Sequence, residues 1–444
     1  MKISALGKEQ ILILGAGREG LDTFLFLRKQ FKNKKLFIAD QKEIRELDLK
    51  TRQILKKDKN NEYFGGKNYL DNAKDYSVVI KSPGIQMKKI RPFFSKTAKF
   101  TSQTELFFDN CPGTIIGITG TKGKSTTSAL IHNILIKNKI SAHLVGNIET
   151  PALSFLSKAK KKDYFVFELS CHQLQFLRAS PHIAVFLNLF PEHLDYYKDF
   201  KEYFAAKSNI AIHQKTNDYF IFNPKIKELK NLAKKVRSKI IPIDPKKYKS
   251  VSAAIPGLKA ITHMDNLAAV MEVGKILKLS NEQILKGIRS FKGLPHRLER
   301  VGKYRGIEFY DDSISTIPEA AVFALDTLGD RVNTMILGGM DRGIDFKKIS
   351  ERLVKSNIKN LILFPTSGKK ILNGIEKKEL KRFDVFFADD MSTAIKIAFA
   401  KTEPGKICLL SPASPSFGLF RDYKERGDLF KKYIKQYGAS KSKK

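Results

Sequence analysis

Short runs of apolar residues alternate along the whole chain with segments whose apolar positions recur at helical spacing. Runs of four or five apolar residues bounded by turn residues are typical of buried strands, and the helical segments between them are typical of parallel βαβ units. The pattern therefore predicts an α/β protein with parallel sheets. The predicted strands form three sets along the chain: 11–14, 35–39 and 77–80; then 114–118, 164–168, 183–187, 219–222 and 240–243; then 307–310, 334–337, 360–364, 384–387 and 407–410.

Two turn-rich stretches separate the three sets of strands, FDNCPGT at 108–114 and KGLPHRLER at 292–300. A chain of 444 residues is long for one core, because a domain typically takes about 150 residues. We therefore predict three α/β domains in series, over residues 1–110, 111–297 and 298–444.

Composition narrows the class of protein. No stretch approaches the ~20 apolar residues of a membrane helix, and the widely spaced Cys111, Cys171 and Cys408 suggest neither a disulfide framework nor a zinc site. We expect a cytoplasmic protein. The net charge of +36 is spread over every segment, which favours a solvated surface that attracts anionic small substrates. A basic nucleic-acid-binding NTPase is the alternative.

The first glycine motif is LGAGREG at 14–20, where Gly15, Gly17 and Gly20 match GxGxxG between a predicted strand and a predicted helix. Such glycines let the backbone approach a phosphate at a helix N-terminus, and Asp40 stands where an acidic residue can bind a sugar hydroxyl. SPGI at 82–85 adds a rigid turn at the same sheet edge. The motif predicts a nucleotide group here, and a purely structural tight turn is the alternative.

The second glycine motif is GITGTKGKST at 117–126, again between a predicted strand and a predicted helix. It lacks the usual first glycine of a phosphate loop, since Ile118 stands there. Its backbone N–H groups would hold phosphates, Lys124 would reach the terminal phosphate, and Ser125 or Thr126 would contact Mg²⁺.

Several polar residues follow predicted strands. Glu168 and His193 stand where a metal carboxylate and imidazole would lie beside the phosphate loop; a strand-end charge and a capped loop histidine are the alternative interpretations. Lys207 lies on a predicted helix, where a lysine is ordinarily solvated. Arg297 lies at the second joint. Loops at 309–320, 337–346 and 409–427 are predicted to converge on one polar ligand.

Together these motifs resemble the Mur ligase family of peptidoglycan synthesis. The resemblance covers nearly the whole chain, through TGTKGKST, GNI, FELS, PEHLD, AAK, LPHRLE, YDDS, LGG and LSPASPSFGLFRDYKERGDLF. It implies a Rossmann-like N-terminal domain, a central P-loop ATPase-like domain and a Rossmann-like C-terminal domain. It also implies a monomer that uses ATP and Mg²⁺ to add D-glutamate to UDP-N-acetylmuramoyl-L-alanine through an acyl phosphate. A relative that adds L-glutamate or L-alanine is the alternative.

The resemblance assigns roles to individual residues. It places Lys207 at the family's carbamylated lysine, so that Lys207, Ser125, Glu168 and His193 would hold Mg²⁺, with Lys124, His193 and Lys207 catalytic. It implies ATP contacts from Gly120, Thr121, Lys122, Gly123, Lys124, Ser125, Thr126, Asn266, Arg297 and Asp312. It implies substrate contacts from Gly15, Gly17, Gly20, Asp40, Ser82, Pro83, Gly84, Asn147, Ser170, Gln173, Arg342, Ser416 and Tyr423.

This chain departs from the family pattern at five places. Lys122 replaces an asparagine of the phosphate loop, Glu149 replaces a glycine, THMDN at 262–266 replaces HNxxN, and Ile314 replaces a lysine near the amino-acid pocket. Lys122 is expected to be solvated. Arg342 replaces another lysine of that pocket, and its planar fork can still pair with a carboxylate.

Overall fold

The structure is a computed structural model that describes residues 1–147, 151–193, 195–255 and 262–439. Ile148 of the GNI motif, Glu149 and Leu194 of PEHLD lie outside the described residues.

Parallel strands form the frame of the molecule, as the apolar runs predict. The strands are β1 Ile11–Leu14, β2 Leu36–Asp40, β3 Asn61–Gly65, β4 Val78–Lys81, β5 Lys99–Thr101, β6 Thr114–Thr119, β7 Ala142–Gly146, β8 Tyr164–Glu168, β9 Ile183–Phe186, β10 Tyr219–Phe222, β11 Lys239–Pro242, β12 Glu299–Tyr304, β13 Ile307–Asp311, β14 Val332–Gly338, β15 Asn360–Phe364, β16 Asp384–Phe387 and β17 Ile407–Leu410.

The strands pair into three sheets, in the orders β3-β2-β1-β4-β5, β11-β10-β9-β6-β8-β7 and β12-β13-β17-β14-β15-β16. Every pairing is parallel except that of β12 with β13. The predicted α/β class is confirmed. Four strands were not predicted, β3, β5, β7 and β12, and all four lie at sheet edges, where polar residues are tolerated and no continuous apolar run is needed.

Helices cover the sheets and bury their apolar faces against the strands. The α-helices are Arg18–Gln30, Leu49–Lys57, Met87–Ile90, Gln103–Asn110, Lys124–Lys137, Leu153–Leu156, Cys171–Leu174, Phe200–Ser208, Lys227–Ala233, Lys249–Ala253, Met264–Ile276, Asn281–Arg289, Pro318–Leu328, Lys347–Val354, Ser367–Asn373, Lys377–Leu380, Met391–Lys401 and Tyr423–Ala439. Short 3₁₀ turns lie at Ile3–Lys8, Ile44–Glu46, Ala73–Asp75, Arg91–Phe93, Pro245–Tyr248 and Gly329–Arg331. None of the helices in the described ranges has the length and apolar character needed to cross a bilayer.

The described residues group into two compact units. The first holds the first two sheets and ends at Phe291, and the second, which holds the third sheet, begins at Lys292. In the first unit one continuous core joins residues of both sheets, from Ile11 and Phe24 to Phe107, Phe165 and Phe186. The three sheets match the three predicted sets of strands, while the domain boundaries at 110 and 297 stay predictions.

Candidate active site

The order of the second sheet decides which loops meet. Strand β6 lies between β8 and β9, so the loop that follows β6 is flanked by the residues at the ends of both neighbours. On one side is Glu168, the last residue of β8. On the other side is the segment that follows β9 and carries His193. Because the carboxyl ends of parallel strands meet at one edge, the fold brings the predicted phosphate loop and the predicted metal ligands together.

The phosphate loop, Gly120 to Gly123, requires its two glycines. Gly120 has φ of 153° and Gly123 has φ of 85°, a region in which a side chain is strained. A β-carbon on Gly123 would also lie 2.6 Å from Asn266 Nδ2. The helix Lys124–Lys137 begins directly after this glycine, with no side chain capping its first N–H groups. Within the loop, the Thr121 and Lys122 N–H groups donate to Asn188 O and Oδ1. The donors that face a phosphate are therefore those at the helix N-terminus, with the predicted Asn266 beside them.

Two lysines converge on the carbonyl of Gly120. Lys124 Nζ donates to the carbonyl oxygens of Gly120 and Thr121, each at 3.0 Å. Lys207 Nζ donates to the same Gly120 oxygen at 2.9 Å, and its side chain is only 2% exposed. Burial, and then the positive charge of Lys124, lowers the pKa of Lys207 to about 7. Burial also lowers the pKa of Lys124.

A lysine on a helix is ordinarily solvated, but Lys207 is buried. It lies in the helix Phe200–Ser208, whose N-terminus Asp199 caps by accepting a hydrogen bond from the Glu202 N–H. Its lowered pKa leaves a large neutral fraction near pH 7, and a neutral amine is the form that reacts with CO₂. The carbamate implied by the resemblance is chemically accessible at this position.

Glu168 has the environment expected of a metal ligand. The residue is 1% exposed, and its Oε1 accepts a hydrogen bond from Asn147 Nδ2 at 3.0 Å. Its Oε2 is buried and has no hydrogen-bond partner among the described residues. An unpaired buried carboxylate oxygen is costly. A cation such as Mg²⁺ would supply the missing partner of Glu168 Oε2, because carboxylate oxygens are the ligands that Mg²⁺ prefers.

His193 adopts the left-handed conformation, with φ of 59°. The N–H groups of Tyr196 and Tyr197 both donate to its carbonyl at 3.0 Å, which fixes the segment around the imidazole. A second imidazole, His172, lies with its ring centre 5.0 Å from that of His193. Burial, and then the neighbouring His193, lowers the pKa of His172 to about 4, so this ring is neutral near pH 7.

Two other residues of the phosphate loop make contacts that the sequence did not reveal. Thr121 Oγ1 accepts from the Phe190 N–H at 2.9 Å and lies 3.1 Å from the Tyr203 hydroxyl. Lys122 Nζ pairs with Glu192 Oε1 at 2.8 Å. Lys122 is thus an exposed but paired lysine, and it ties the phosphate loop to the residue next to His193.

The glycine fingerprint lies at the switch point of the first sheet, where β1 pairs with β2 on one side and β4 on the other. Gly15, with φ of 100°, lies so close to Ser82 that a β-carbon would meet Ser82 Oγ at 2.5 Å. By contrast, Gly17 and Gly84 have no atom within 4 Å of such a β-carbon. The structure brings the two predicted substrate loops together and leaves their outer faces open.

The carboxylate of Asp40 binds two backbone N–H groups of the described structure. Its Oδ2 accepts from the Ala16 N–H at 2.7 Å and its Oδ1 accepts from the Lys42 N–H at 2.9 Å. Each oxygen keeps a second lone pair. The predicted contact with a sugar hydroxyl therefore stays a prediction.

One cavity of about 430 Å³ connects these elements within the first unit. The residues that line it come from both sheets: Gly17, Arg18, Glu19, Ser82, Pro83, Gly84, Lys124, Asn147, Ser170, Cys171, His172, Glu192, His193 and Lys207. Gln173 lies beside it, because Gln173 Nε2 donates to Glu19 Oε1 at 2.8 Å. Ser125 and Thr126 occupy the first turn of the helix at the phosphate loop.

The second unit holds the remaining predicted residues. Arg297 has a buried Nε without a hydrogen-bond partner among the described residues. Asp312 Oδ2 accepts from Ser411 Oγ at 2.7 Å and from the Ser315 hydroxyl, and Oδ1 accepts from the Leu298 N–H at 3.2 Å. Burial raises the pKa of Asp312 to about 6. The described contacts of Asp312 are internal, and its predicted ATP contact stays a prediction.

The predicted amino-acid residues follow β14 and β17, which pair with each other. The Arg342 guanidinium lies 5.3 Å from the centre of the exposed Phe417 ring, and Ser416 is buried. The carbonyl of Tyr423 accepts from Ser313 Oγ at 2.7 Å. Arg426, which the sequence did not single out, is fully buried and donates to Ser313 Oγ, Ser313 O and Ser414 O at 3.0, 2.8 and 3.1 Å.

Sequence reasoning also missed Glu19, His172 and Tyr196. Glu19 stands inside the glycine fingerprint, which was the available signal, and His172 lies two residues from Ser170. Tyr196 carries no local signal, because the Pro83 and Ile85 carbonyls that its hydroxyl contacts follow a strand of the first sheet.

Comparison with known proteins adds family and fold. Residues 118–276 match the Mur ligase middle domain, and residues 296–414 match the Mur ligase, glutamate ligase domain. The chain is 34% identical to the UDP-N-acetylmuramoylalanine--D-glutamate ligase of Streptococcus equi subsp. zooepidemicus, over 80% of this chain and 82% of that relative. It is 30% identical to the enzyme of the same name from Koribacter versatilis, over 98% of this chain and 99% of that relative.

Two solved structures from Thermotoga maritima share the fold. The MurF ligase in complex with ADP superposes with a TM-score of 0.56 at 17% identity, covering 96% of this chain and 95% of that chain. The UDP-N-acetylmuramate-alanine ligase MurC superposes with a TM-score of 0.57 at 16% identity, covering 98% of this chain and all of that chain (100%).

Proposed function

The chain belongs to the Mur ligase family, and on that basis we propose that it adds D-glutamate to UDP-N-acetylmuramoyl-L-alanine with ATP as the energy source. The observation that carries the proposal is the single cavity lined by the glycine fingerprint, the Ser82–Gly84 turn, Lys124, His193 and Lys207. A nucleotide-linked sugar held at the first sheet would extend its terminal carboxylate along this cavity toward a phosphate held at the second.

The reaction proceeds in two steps. An oxygen of the alanyl carboxylate attacks the γ-phosphorus of ATP, a carboxylate–phosphorus bond forms, and the bond to the β-phosphate oxygen breaks, releasing ADP. The amine of glutamate then attacks the acyl carbon, and inorganic phosphate leaves as the amide forms and the amine loses a proton. Activation is needed because a carboxylate oxygen is a poor leaving group and phosphate is a good one.

The chain's own residues would bring two anions together in the first step. Lys124 would turn its ammonium from the Gly120 and Thr121 carbonyls to the β- and γ-phosphates, while the N–H groups at the N-terminus of its helix would hold the phosphate oxygens. Ser125, Glu168, His193 and carbamylated Lys207 would hold Mg²⁺. When bound, Mg²⁺ supplies positive charge that offsets the charge of the phosphates. Reaction of the Lys207 amine with CO₂ releases one proton and gives a carboxylate-like ligand.

The other residues would bind the rest of ATP, the nucleotide sugar and glutamate. Asn266, Arg297 and Asp312 would contact ATP, together with the loop residues Gly120 to Thr126. Gly15, Gly17, Gly20, Asp40 and Ser82 to Gly84 would hold the uridine diphosphate, and Asn147, Ser170 and Gln173 the muramoyl-alanine portion. Arg342, Ser416 and Tyr423 would hold glutamate, with Arg342 pairing with a carboxylate. A monomer working in the cytoplasm, where ATP and the nucleotide sugar occur, completes the proposal.

An amino-acid panel tests the substrate. The purified chain is incubated with ATP, Mg²⁺ and UDP-N-acetylmuramoyl-L-alanine, and phosphate release is measured with D-glutamate, L-glutamate or L-alanine. We expect release with D-glutamate. Release with L-glutamate or L-alanine alone would identify a different member of the family, and hydrolysis stimulated by RNA or DNA instead of the nucleotide sugar would contradict the ligase.

A further inference from the structure

The turn that follows β4 in the first sheet is linked by hydrogen bonds to the segment that carries His193 in the second. This turn, Ser82 to Gln86, contains the predicted substrate residues Ser82, Pro83 and Gly84. The residue on the other side is Tyr196, three residues after His193. Both belong to the first compact unit.

The phenol of Tyr196 contacts the carbonyl groups of the turn. Its Oη lies 3.3 Å from the carbonyl oxygen of Ile85 and 3.5 Å from that of Pro83, and it lies 3.1 Å from Gln175 Oε1. The hydroxyl has one proton, so it donates to one of these oxygens at a time. Burial raises the pKa of Tyr196 to about 12, which keeps that proton in place at working pH.

The turn also holds Tyr196 in return. Gln86 Nε2 donates to the carbonyl oxygen of Tyr196 at 3.2 Å. From the first sheet, Lys81 Nζ donates to the carbonyl oxygens of Ser82 and Ile85 at 2.9 and 2.8 Å. The turn is therefore hydrogen-bonded on one side to Lys81 of its own sheet and on the other to Tyr196, which follows a strand of the second sheet.

The link continues to the imidazole of His193. The backbone N–H of Tyr196 donates to the His193 carbonyl at 3.0 Å. The rings of Tyr196 and His172 meet edge to face at 4.3 Å, and His172 meets His193 at 5.0 Å. The Ser82–Gln86 turn is thus connected through Tyr196 to both imidazoles of the cavity by an unbroken series of contacts.

We propose that Tyr196 is a positioning residue that couples binding of the nucleotide sugar at the Ser82–Gly84 turn to binding of ATP at the phosphate loop and His193. This inference rests on the proposed function. The coupling is positive, because the first ligand sets the position of the groups at one end of this hydrogen-bonded link, and the second ligand then binds to groups at the other end that are already in place. Tyr196 acts through His193 and the turn and touches neither reacting atom.

Tyr197 supplies a matched control. Its hydroxyl is buried beside the Cys171 thiol and makes no hydrogen bond to a described residue of the turn. The change Tyr197→Phe deletes the same atom as Tyr196→Phe at the neighbouring position. Only Tyr196→Phe removes the contact with the Pro83 and Ile85 carbonyls.

The test measures a thermodynamic cycle by calorimetry. Dissociation constants are determined for UDP-N-acetylmuramoyl-L-alanine alone, for a non-hydrolysable ATP analogue with Mg²⁺ alone, and for each in the presence of the other. We expect each ligand to strengthen binding of the other by at least about fivefold, the lower end of typical coupling. In Tyr196→Phe we expect the coupling factor to fall below about twofold, and in Tyr197→Phe to stay at the value of the unmodified protein.

The outcomes separate the two claims. Binding of both ligands without coupling, or coupling that survives in Tyr196→Phe, would overturn the inference and leave the proposed function standing. Failure to bind the nucleotide sugar would overturn the proposed function and the inference with it. A purely structural role for Tyr196 would lower both single-ligand affinities and leave the coupling factor unchanged. If Tyr196→Phe melts early, Gln86→Leu removes the reciprocal bond and must reduce the coupling instead.

Discussion

Replacing Lys207 by alanine tests the least expected feature of the site, a buried lysine among predicted metal ligands. The pKa of Lys207 is about 7. At pH 7.5 about three quarters of such an amine is neutral, against about one part in a thousand for an amine at the ordinary pKa of 10.5. At pH 6 the neutral fraction falls to about a tenth. Since only the neutral amine reacts with CO₂, the initial rate of carbamate formation on the free protein, at a fixed CO₂ concentration, should fall about eightfold between pH 7.5 and pH 6.

Two assays follow from this arithmetic. Chemical trapping after a short exposure to ¹³CO₂, followed by mass spectrometry, should locate the label on Lys207, and the initial rate of its incorporation should be about eightfold lower at pH 6. In the phosphate-release assay, Lys207→Ala should lose about 10²-fold to 10³-fold in kcat, the cost of removing one charge-stabilising group, and added short-chain carboxylic acids should restore part of it. Lys201→Ala, at an exposed position of the same helix, is the control and should retain full activity. Full activity of Lys207→Ala, or ¹³C label absent from Lys207, would show that Lys207 is not a carbamylated metal ligand.

Three further changes have defined outcomes. Glu168→Gln should raise the Mg²⁺ concentration for half-maximal activity at least about tenfold without lowering the melting temperature, because the buried Oε2 has no described partner to lose; an unchanged Mg²⁺ requirement would remove Glu168 from the metal site. The folded-state pKa of Asp312, raised from 3.8 to about 6, means that the folded protein takes up a proton first as pH falls. The contribution of Asp312 to stability therefore increases from pH 6 to pH 4 by about 2 kcal/mol, and urea titrations should show that Asp312→Asn abolishes this increment. Gly123→Ala should weaken nucleotide binding more than tenfold, because the added carbon meets Asn266 at 2.6 Å, whereas Gly405→Ala, with φ of 83° and open space, should leave nucleotide affinity unchanged.

The interior of the fold was predictable because buried parallel strands are continuous apolar runs. Strand β8, with the sequence YFVFE, is buried over its last four residues, and Glu168 marks its end. The edge strand β12, ERVGKY, has no such run, since one side of it needs no partner. Local sequence therefore predicted the middle of each sheet and missed the edge strands β3, β5, β7 and β12.

In the candidate site, too, features set by local backbone geometry were predictable and features set by contacts between distant segments were not. The loop at Gly120 to Gly123 was predictable, since its glycines are required by local backbone geometry. The burial of Lys207 and the contact of Tyr196 with Ile85 were not, because both depend on residues more than 80 positions away in the chain. Only the pairing of strands brings these groups together.

In the proposed reaction a substrate carboxylate is activated by phosphorylation before the amide forms. UDP-N-acetylmuramoyl-L-alanine labelled with ¹⁸O in its terminal carboxylate, incubated with the chain, ATP, Mg²⁺ and D-glutamate, tests this directly by mass spectrometry of the products. We predict that the inorganic phosphate released carries one ¹⁸O atom and that the glutamyl product retains the other. Unlabelled phosphate, or phosphate released without a glutamyl product, would contradict the account.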